Sequence, residues 1–197
     1  MRRLVVTLNF LLFCMAPPIT KPAEVWDGAT ITVNKQGGEQ TVDNITPEIS
    51  LTRGGSAGLY NPVAENSWSS TSPSGTAWAF AGINGNLDDA SFAASNFENL
   101  NFDTWLQALG GTGMAGANIE NRRGVLHLIQ EDIYIDILFT FWEPGPTEEG
   151  NFTYMRSSRV LISTHSLPMP AAMSGVMFVL FLLFSLRLVQ RLELNST

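Results

Sequence analysis

The stretch GVLHLIQEDIYIDILFTFW, Gly124 to Trp142, decides the fold. In its second half Ile133, Ile135, Ile137, Phe139 and Phe141 fall on one side, and Tyr134, Asp136, Leu138, Thr140 and Trp142 on the other. A period of two held over ten residues by β-branched and aromatic side chains is the pattern of a strand with one face in a core. The polar break Gln130 to Asp132 makes the whole stretch a hairpin. The loop EPGPTEEGN (Glu143 to Asn151) then leads into FTYMRSSRVLIST (Phe152 to Thr164), an antiparallel partner.

The same rhythm runs upstream. ATITVNKQGGEQTV (Ala29 to Val42) alternates around Gly37-Gly38 and predicts a second hairpin. PEISLTRGG and GTAWAFAGI supply further strand-and-turn units. NLDDASFAASNFEN (Asn86 to Asn99) is the one candidate for a short helix, with Asn86 as its cap and Asp88 and Asp89 in the first turn. LGGTGMAGANIENRRG (Leu109 to Gly124) reads as glycine-rich loop. About seven strands with turns every 8 to 15 residues predict an all-β fold, a β-sandwich of jelly-roll-like type.

Charge narrows the partners. Glu24 to Ser166 holds 17 acidic and 6 basic residues, a net of −11. Such a domain is repelled by nucleic acid and by anionic lipid, so nucleic-acid binding is excluded. The only cysteine, Cys14, lies in the leader described below. The remaining chain then has no disulfide, no thiol nucleophile and no cysteine-ligated zinc. A domain of about 140 residues buries roughly two-thirds of its surface without such staples.

Four patterns carry candidate chemistry, and each has a plainer explanation. Gly54-Gly55-Ser56-Ala57-Gly58 fits the G-x-S-x-G of a serine-hydrolase elbow, which needs a strand-to-helix turn and a histidine. LYNPVAEN follows it without helical period, so a glycine-rich turn is expected. The two histidines, His127 in an apolar strand and His165 near the C-terminal segment, give no triad or multi-histidine metal site. Glu131, Asp132 and Asp136 cluster at the main hairpin and raise a glycosidase-type acid/base pair, against solvated charge on an acidic protein. Asn84 to Asp89 has the oxygen-rich side chains calcium favours but lacks the spacing of a calcium loop, and a helix cap explains it equally. Trp68, Trp78, Trp105 and Trp142 suit either a sugar-stacking platform or a core. The expectation is no catalytic residue and no cofactor, with calcium the one metal left open.

The two ends are targeting segments. Met1-Arg2-Arg3 and the apolar Leu4 to Ala16 have the form of a secretory signal, too short for a comfortable span. Cleavage after Ala16 and after Ala23 both fit. Near the other end, LPMP is followed by 16 uncharged residues, Ala171 to Leu186, and then Arg187 and Arg191. With Leu188 and Val189 included the run approaches the ~20 residues that span a bilayer. The arginines place its far end in the cytoplasm.

This tripartite end resembles the VPLPA variety of the PEP-CTERM sorting signal of Gram-negative bacteria. The resemblance implies recognition by an exosortase, a membrane cysteine protease, at Leu167, Pro168, Met169, Pro170 and Ala171. Leu167 stands where that motif has valine and Met169 where it has leucine, and Glu193 thins the basic tail. The region from Trp26 to Ser158 also resembles a module that recurs in exported bacterial proteins with such signals. Its F-S-Y-T-R-S run is Phe152-Thr153-Tyr154-Met155-Arg156-Ser157 here. That resemblance implies a fold and a location, and no activity.

The expected organisation is a signal peptide over 1–23, a β-sandwich ectodomain over 24–163, a linker with the sorting motif over 164–170, a transmembrane helix over 171–190 and a cytoplasmic tail over 191–197. The expected function is a non-enzymatic structural or adhesive module, held at the inner membrane as a precursor and then sorted to the cell surface. Its partners would be an exosortase, membrane lipid through the C-terminal helix, and exopolysaccharide. A carboxylate-pair enzyme on carbohydrate and a plain anchored protein are the alternatives.

Overall fold

The computed structural model describes residues 21–55, 57–144 and 149–160, all within one compact unit. Most of the expected leader, the C-terminal segments with Leu167, Pro168, Met169, Pro170, Ala171, Arg187 and Arg191, and also Ser56 and His165 lie outside the described residues. No helix among the described residues is long and apolar enough to cross a membrane.

The architecture is all-β with a few short helices. Its strands are β1 (Glu24–Trp26), β2 (Thr30–Lys35), β3 (Asp43–Asn44), β4 (Ser50–Arg53), β5 (Leu59–Tyr60), β6 (Thr76–Phe80), β7 (Arg123–Leu128), β8 (Ile133–Trp142) and β9 (Phe152–Ser157). The large sheet runs β2-β9-β8-β7-β6, and β1 pairs in parallel with the first part of β8. The small sheet is β3-β4-β5. Strands β6 to β9 are sequential neighbours, a meander. A jelly roll would instead need Greek-key crossings between sheets.

The apolar side chains of β6, β7 and β8 meet Leu51 and Leu59 of the small sheet in one cluster that includes Trp78, Phe80, Leu126, Ile135 and Phe139. Each such side chain, fully buried, contributes about 1.5–3 kcal/mol. The opposite face of the large sheet is covered over Val125 and Tyr134 by the segment that carries Phe92, Ala94 and Phe97. β8 is therefore central, buried on both faces along its first half.

Three expectations from the sequence change in the structure. First, Gly37-Gly38 does not close a hairpin. Both glycines hold positive φ, 64° and 72°, and they turn the chain away from β2, whose partner is β9. Asp43 is carried into the small sheet instead. Second, no helix begins at Asn86. Its side chain bonds the Asn101 backbone twice, at 3.1 and 2.7 Å, Asp88 pairs with Arg123 and Asp89 closes a turn on Ser91. The helical residues are a kinked 3-10 turn at Ala94–Asn99 and two single turns, α1 (Trp105–Ala108) and α2 (Ala115–Asn118). The last lies in the stretch read as loop. Third, the alternation of β8 breaks at Thr140. Phe139 faces Tyr154 and Phe141 faces Thr153, so Thr140 is an extra residue, a β-bulge. Phe141 turns outward, 43% exposed, and Trp142 turns into the core at 4%.

The FTYMRS run explains how the sheets are joined. Phe152, Tyr154 and Arg156 alternate onto the buried face of β9. Arg156 grips Asp43 of β3 through Nε at 2.6 Å and Nη2 at 2.7 Å, and the Tyr154 hydroxyl donates to the same carboxylate at 2.8 Å. Burial works against the Arg156 charge, but the hydrogen bond and charge of Asp43 outweigh it and hold the guanidinium above its ordinary range. Burial and the Asp43 charge raise the Tyr154 phenol well above its own.

Asp43→Asn leaves Arg156 buried without a countercharge and is expected to cost about 3–5 kcal/mol in urea unfolding followed by tryptophan fluorescence. The triple variant Asp43→Leu, Tyr154→Phe, Arg156→Met should recover most of that loss. An Asp43→Asn protein as stable as the wild type would mean that the pair does not hold the sheets.

Candidate functional site: a tryptophan-lined cleft

The bulge at Thr140 has a second effect, because Trp142 becomes a surface for Arg53. The Arg53 guanidinium sits 3.7 Å from the centroid of the Trp142 ring. Its Nε donates to the Ala57 carbonyl at 2.7 Å, Nη1 to Asn151 at 3.0 Å and Nη2 to Glu143 at 2.8 Å. Burial pulls this guanidinium down to about 10, against the opposing charge of Glu143. Lys35 lies beside it and donates to the carbonyls of Arg53 and Glu149 at 2.9 and 2.7 Å. Burial first, then the charge of Arg53, holds Lys35 below its usual range. Together the two cations bind the ends of the β8–β9 connection to β4.

Around this floor lies a cleft of about 570 Å³. One wall is Trp68, whose ring lies so close to Gly58 that a side chain there would collide with it. Trp105 lines the cleft too, 5.3 Å from Trp142 between ring centroids. The remaining wall is an arc of small residues, Thr112, Gly113, Ala115, Gly116 and Ala117. Gly110, Gly111 and Gly113 hold φ of 97°, 96° and 79°, a backbone that only glycine adopts without strain. Trp105 is 1% exposed, and its indole N–H is buried with no partner among the described residues. Concavity, apolar walls and a few polar groups are the properties of a small-molecule site, and the volume lies in the ordinary range.

A smaller cleft of about 350 Å³ opens on the other face of the large sheet, between Phe92, Arg123, Asp136, Met155 and Ser157. Its charges hold the cover segment. Asp136 accepts the Ala94 N–H at 2.8 Å, and Arg123 bonds Asp88 at 2.8 Å. It is the seam between cover and sheet.

The three carboxylates noted at the main hairpin are directed to three different places. Glu131 accepts from the Thr46 hydroxyl at 2.6 Å, Asp132 pairs with His127 at 3.2 Å, and Asp136 holds Ala94. The bulge also removes Trp142 from the face it was expected to share with Asp132 and Asp136. Gly54 to Gly58 joins β4 to β5, which pair antiparallel, so the turn is strand-to-strand and not the strand-to-helix elbow that a serine nucleophile needs. Among the described residues no three His, Cys, Asp or Glu side chains are grouped to hold a metal ion. Of the four tryptophans weighed as a platform, Trp78, Trp105 and Trp142 are all core residues, Trp78 with its N–H on Thr76. Trp68 alone is partly exposed on the cleft, which Trp105 and Trp142 border from the core side. Arg53 was missed, and a lone arginine ahead of two glycines carries no signal of its place.

No family model matches this chain, and no curated protein or solved structure matches it.

His127 stacks on Tyr134 with ring centroids 4.2 Å apart. Burial holds the imidazole below its ordinary range, opposed by Asp132. Burial and Asp132 push the Tyr134 phenol up to about 12. Folding therefore favours neutral His127, and the unfolded chain binds the proton more readily. The stability this provides is complete above about pH 6.5 and is lost as pH falls through the lower folded-state value. In urea unfolding across this range, His127→Phe, which keeps a stacked ring, should lose less stability on acidification than the wild type. Parallel curves for the two proteins would refute the assignment.

Proposed function

We propose that the protein is an exported, non-catalytic saccharide-binding module of the cell envelope. The observation that carries this reading is the convergence of Trp68, Trp105 and Trp142 on one cleft. The half-buried indole of Trp68 suits the C–H face of a sugar ring, and the buried Trp105 and Trp142 close the cleft beneath it. A hydrolase needs two carboxylates across the scissile bond. Among the described residues the tryptophan cleft is lined by none and the smaller one by Asp136 alone, which favours retention over turnover. The two sheets, sharing one apolar cluster, are taken as the halves of a sandwich.

In this reading the leader over 1–23 exports the domain and the helix over 171–190 holds it, with Arg187 and Arg191 on the cytoplasmic side. An exosortase then acts at Leu167 to Ala171 and passes the domain to the surface, where exopolysaccharide is the partner. What supports this part is the resemblance of the C-terminal end and the two prolines, residues that disfavour helix, as suits a protease recognition motif.

Two experiments test the two halves. The full chain, in a detergent without a sugar headgroup, should show a saturable tryptophan fluorescence change with a soluble glycan and release no product. Trp68→Ala should weaken binding by about tenfold or more, ~1.4 kcal/mol, with little change in Tm. Fluorescence unmoved by any glycan, or turnover, would overturn the binding reading. In the native host, intact mass should show loss of everything after the proline motif, while Pro168→Ala and Pro170→Ala leave full-length protein in the membrane. Full-length wild-type protein would make the segment a permanent anchor.

A further inference from the structure

Resting on the saccharide-binding reading, we infer that the cleft takes a neutral glycan and discriminates against acidic ones. An arginine in a cleft ordinarily suggests a carboxylate or phosphate ligand. Here that expectation fails on the geometry of Arg53, the one charged residue among the described residues that line the cleft.

Each of the three Arg53 nitrogens already donates to a backbone carbonyl, of Ala57, Asn151 or Glu143. One face of the guanidinium is covered by Trp142 at 3.7 Å, and the residue is 3% exposed. Three of its five N–H groups are spent on these carbonyls, and with the residue almost wholly buried a ligand carboxylate has no open path to the other two. Arg53 is a structural cation that builds the floor, and its charge is not presented to the cleft.

The surroundings act in the same direction. The domain between Glu24 and Ser166 has a net charge of −11, and that field disfavours an anionic polymer at low salt. Among the described residues, what the cleft presents is uncharged: Trp68 offers a half-buried indole, and Ser70 and Thr112 offer hydroxyls. The small side chains of Gly113, Ala115, Gly116 and Ala117 leave space where larger ones would fill it. Hydroxyls and C–H faces of an uncharged pyranose match this lining; a uronate finds no free cation in it.

The test uses the full chain in the same detergent, titrated with galactomannan as the neutral probe and alginate as the acidic one, at low and at high salt. The expected result is galactomannan binding that does not depend on salt and is lost in Trp68→Ala, with alginate at least about tenfold weaker. Thr112→Lys, which adds a cation at an exposed position of the rim, should improve alginate binding at low salt. Alginate bound as tightly as galactomannan, or more tightly, would overturn the neutral preference and leave the saccharide reading standing. Galactomannan bound equally well by Trp68→Ala would remove the site from this cleft. Binding of neither probe by the wild type would overturn the preference together with the reading beneath it.

Discussion

The fold depends on one carboxylate. Asp43 stands on a two-residue strand of the small sheet and is met inside the protein by Arg156 and Tyr154 of the large one. A buried ion pair adds little net stability over an apolar substitute, because both charges must leave water. It is intolerant of error, however, since either charge alone is costly. That asymmetry fixes the register of β9, whose Phe152, Tyr154 and Arg156 must all face inward. It also fixes where the chain goes after Gly37-Gly38, because Asp43 must arrive at the guanidinium. The bulge then sets Phe139 opposite Tyr154 and brings Trp142 back opposite Phe152.

The cleft is built from the consequences. Once Trp142 is turned inward, Arg53 has an aromatic face to lie on, and its donors reach carbonyls on both sides of the β8–β9 connection. Lys35 adds a second cation bonded to backbone carbonyls. These residues tie the ends of the β8–β9 connection to β4, in addition to the bonds that Glu143 and Asn151 make to each other. The tryptophan surface is thus a by-product of buried cations placed for structural reasons. This is why the arginine that lines the cleft is unavailable to a ligand.

The large-sheet meander was legible because its signals are local. The period of two through Ile133 to Phe139, the polar break before it and the FTYMRS partner identify β7, β8 and β9 without any tertiary information. The failures all lie where a long-range contact decides. Nothing near Thr140 announces a bulge, which exists because residues 13 or 14 positions away must be met in register. Asn86 has the composition of a cap, but its hydrogen bonds close a loop with Asn101. Gly37-Gly38 looks like a hairpin turn because the sequence shows the glycines and not the partner of Asp43. At the site, the tryptophans were visible as a type and not as a place. Trp78 differs from Trp105 only through the neighbours the fold gives it.

The ends of the domain and its cleft are set at opposite ends of the same strands. Glu24 pairs at Ile133, and Arg159 returns to Glu24, whereas Trp142 and Phe152 lie at the other end of the ladder. Ten residues of β8 separate the two ends by about 30 Å. A pull between the chain beyond Val160 and a ligand held in the cleft would run along β8 and β9. The ladder bonds would then be loaded together, in shear, and not opened one after another as in a zipper. Extension along that axis therefore meets the whole β8–β9 ladder at once.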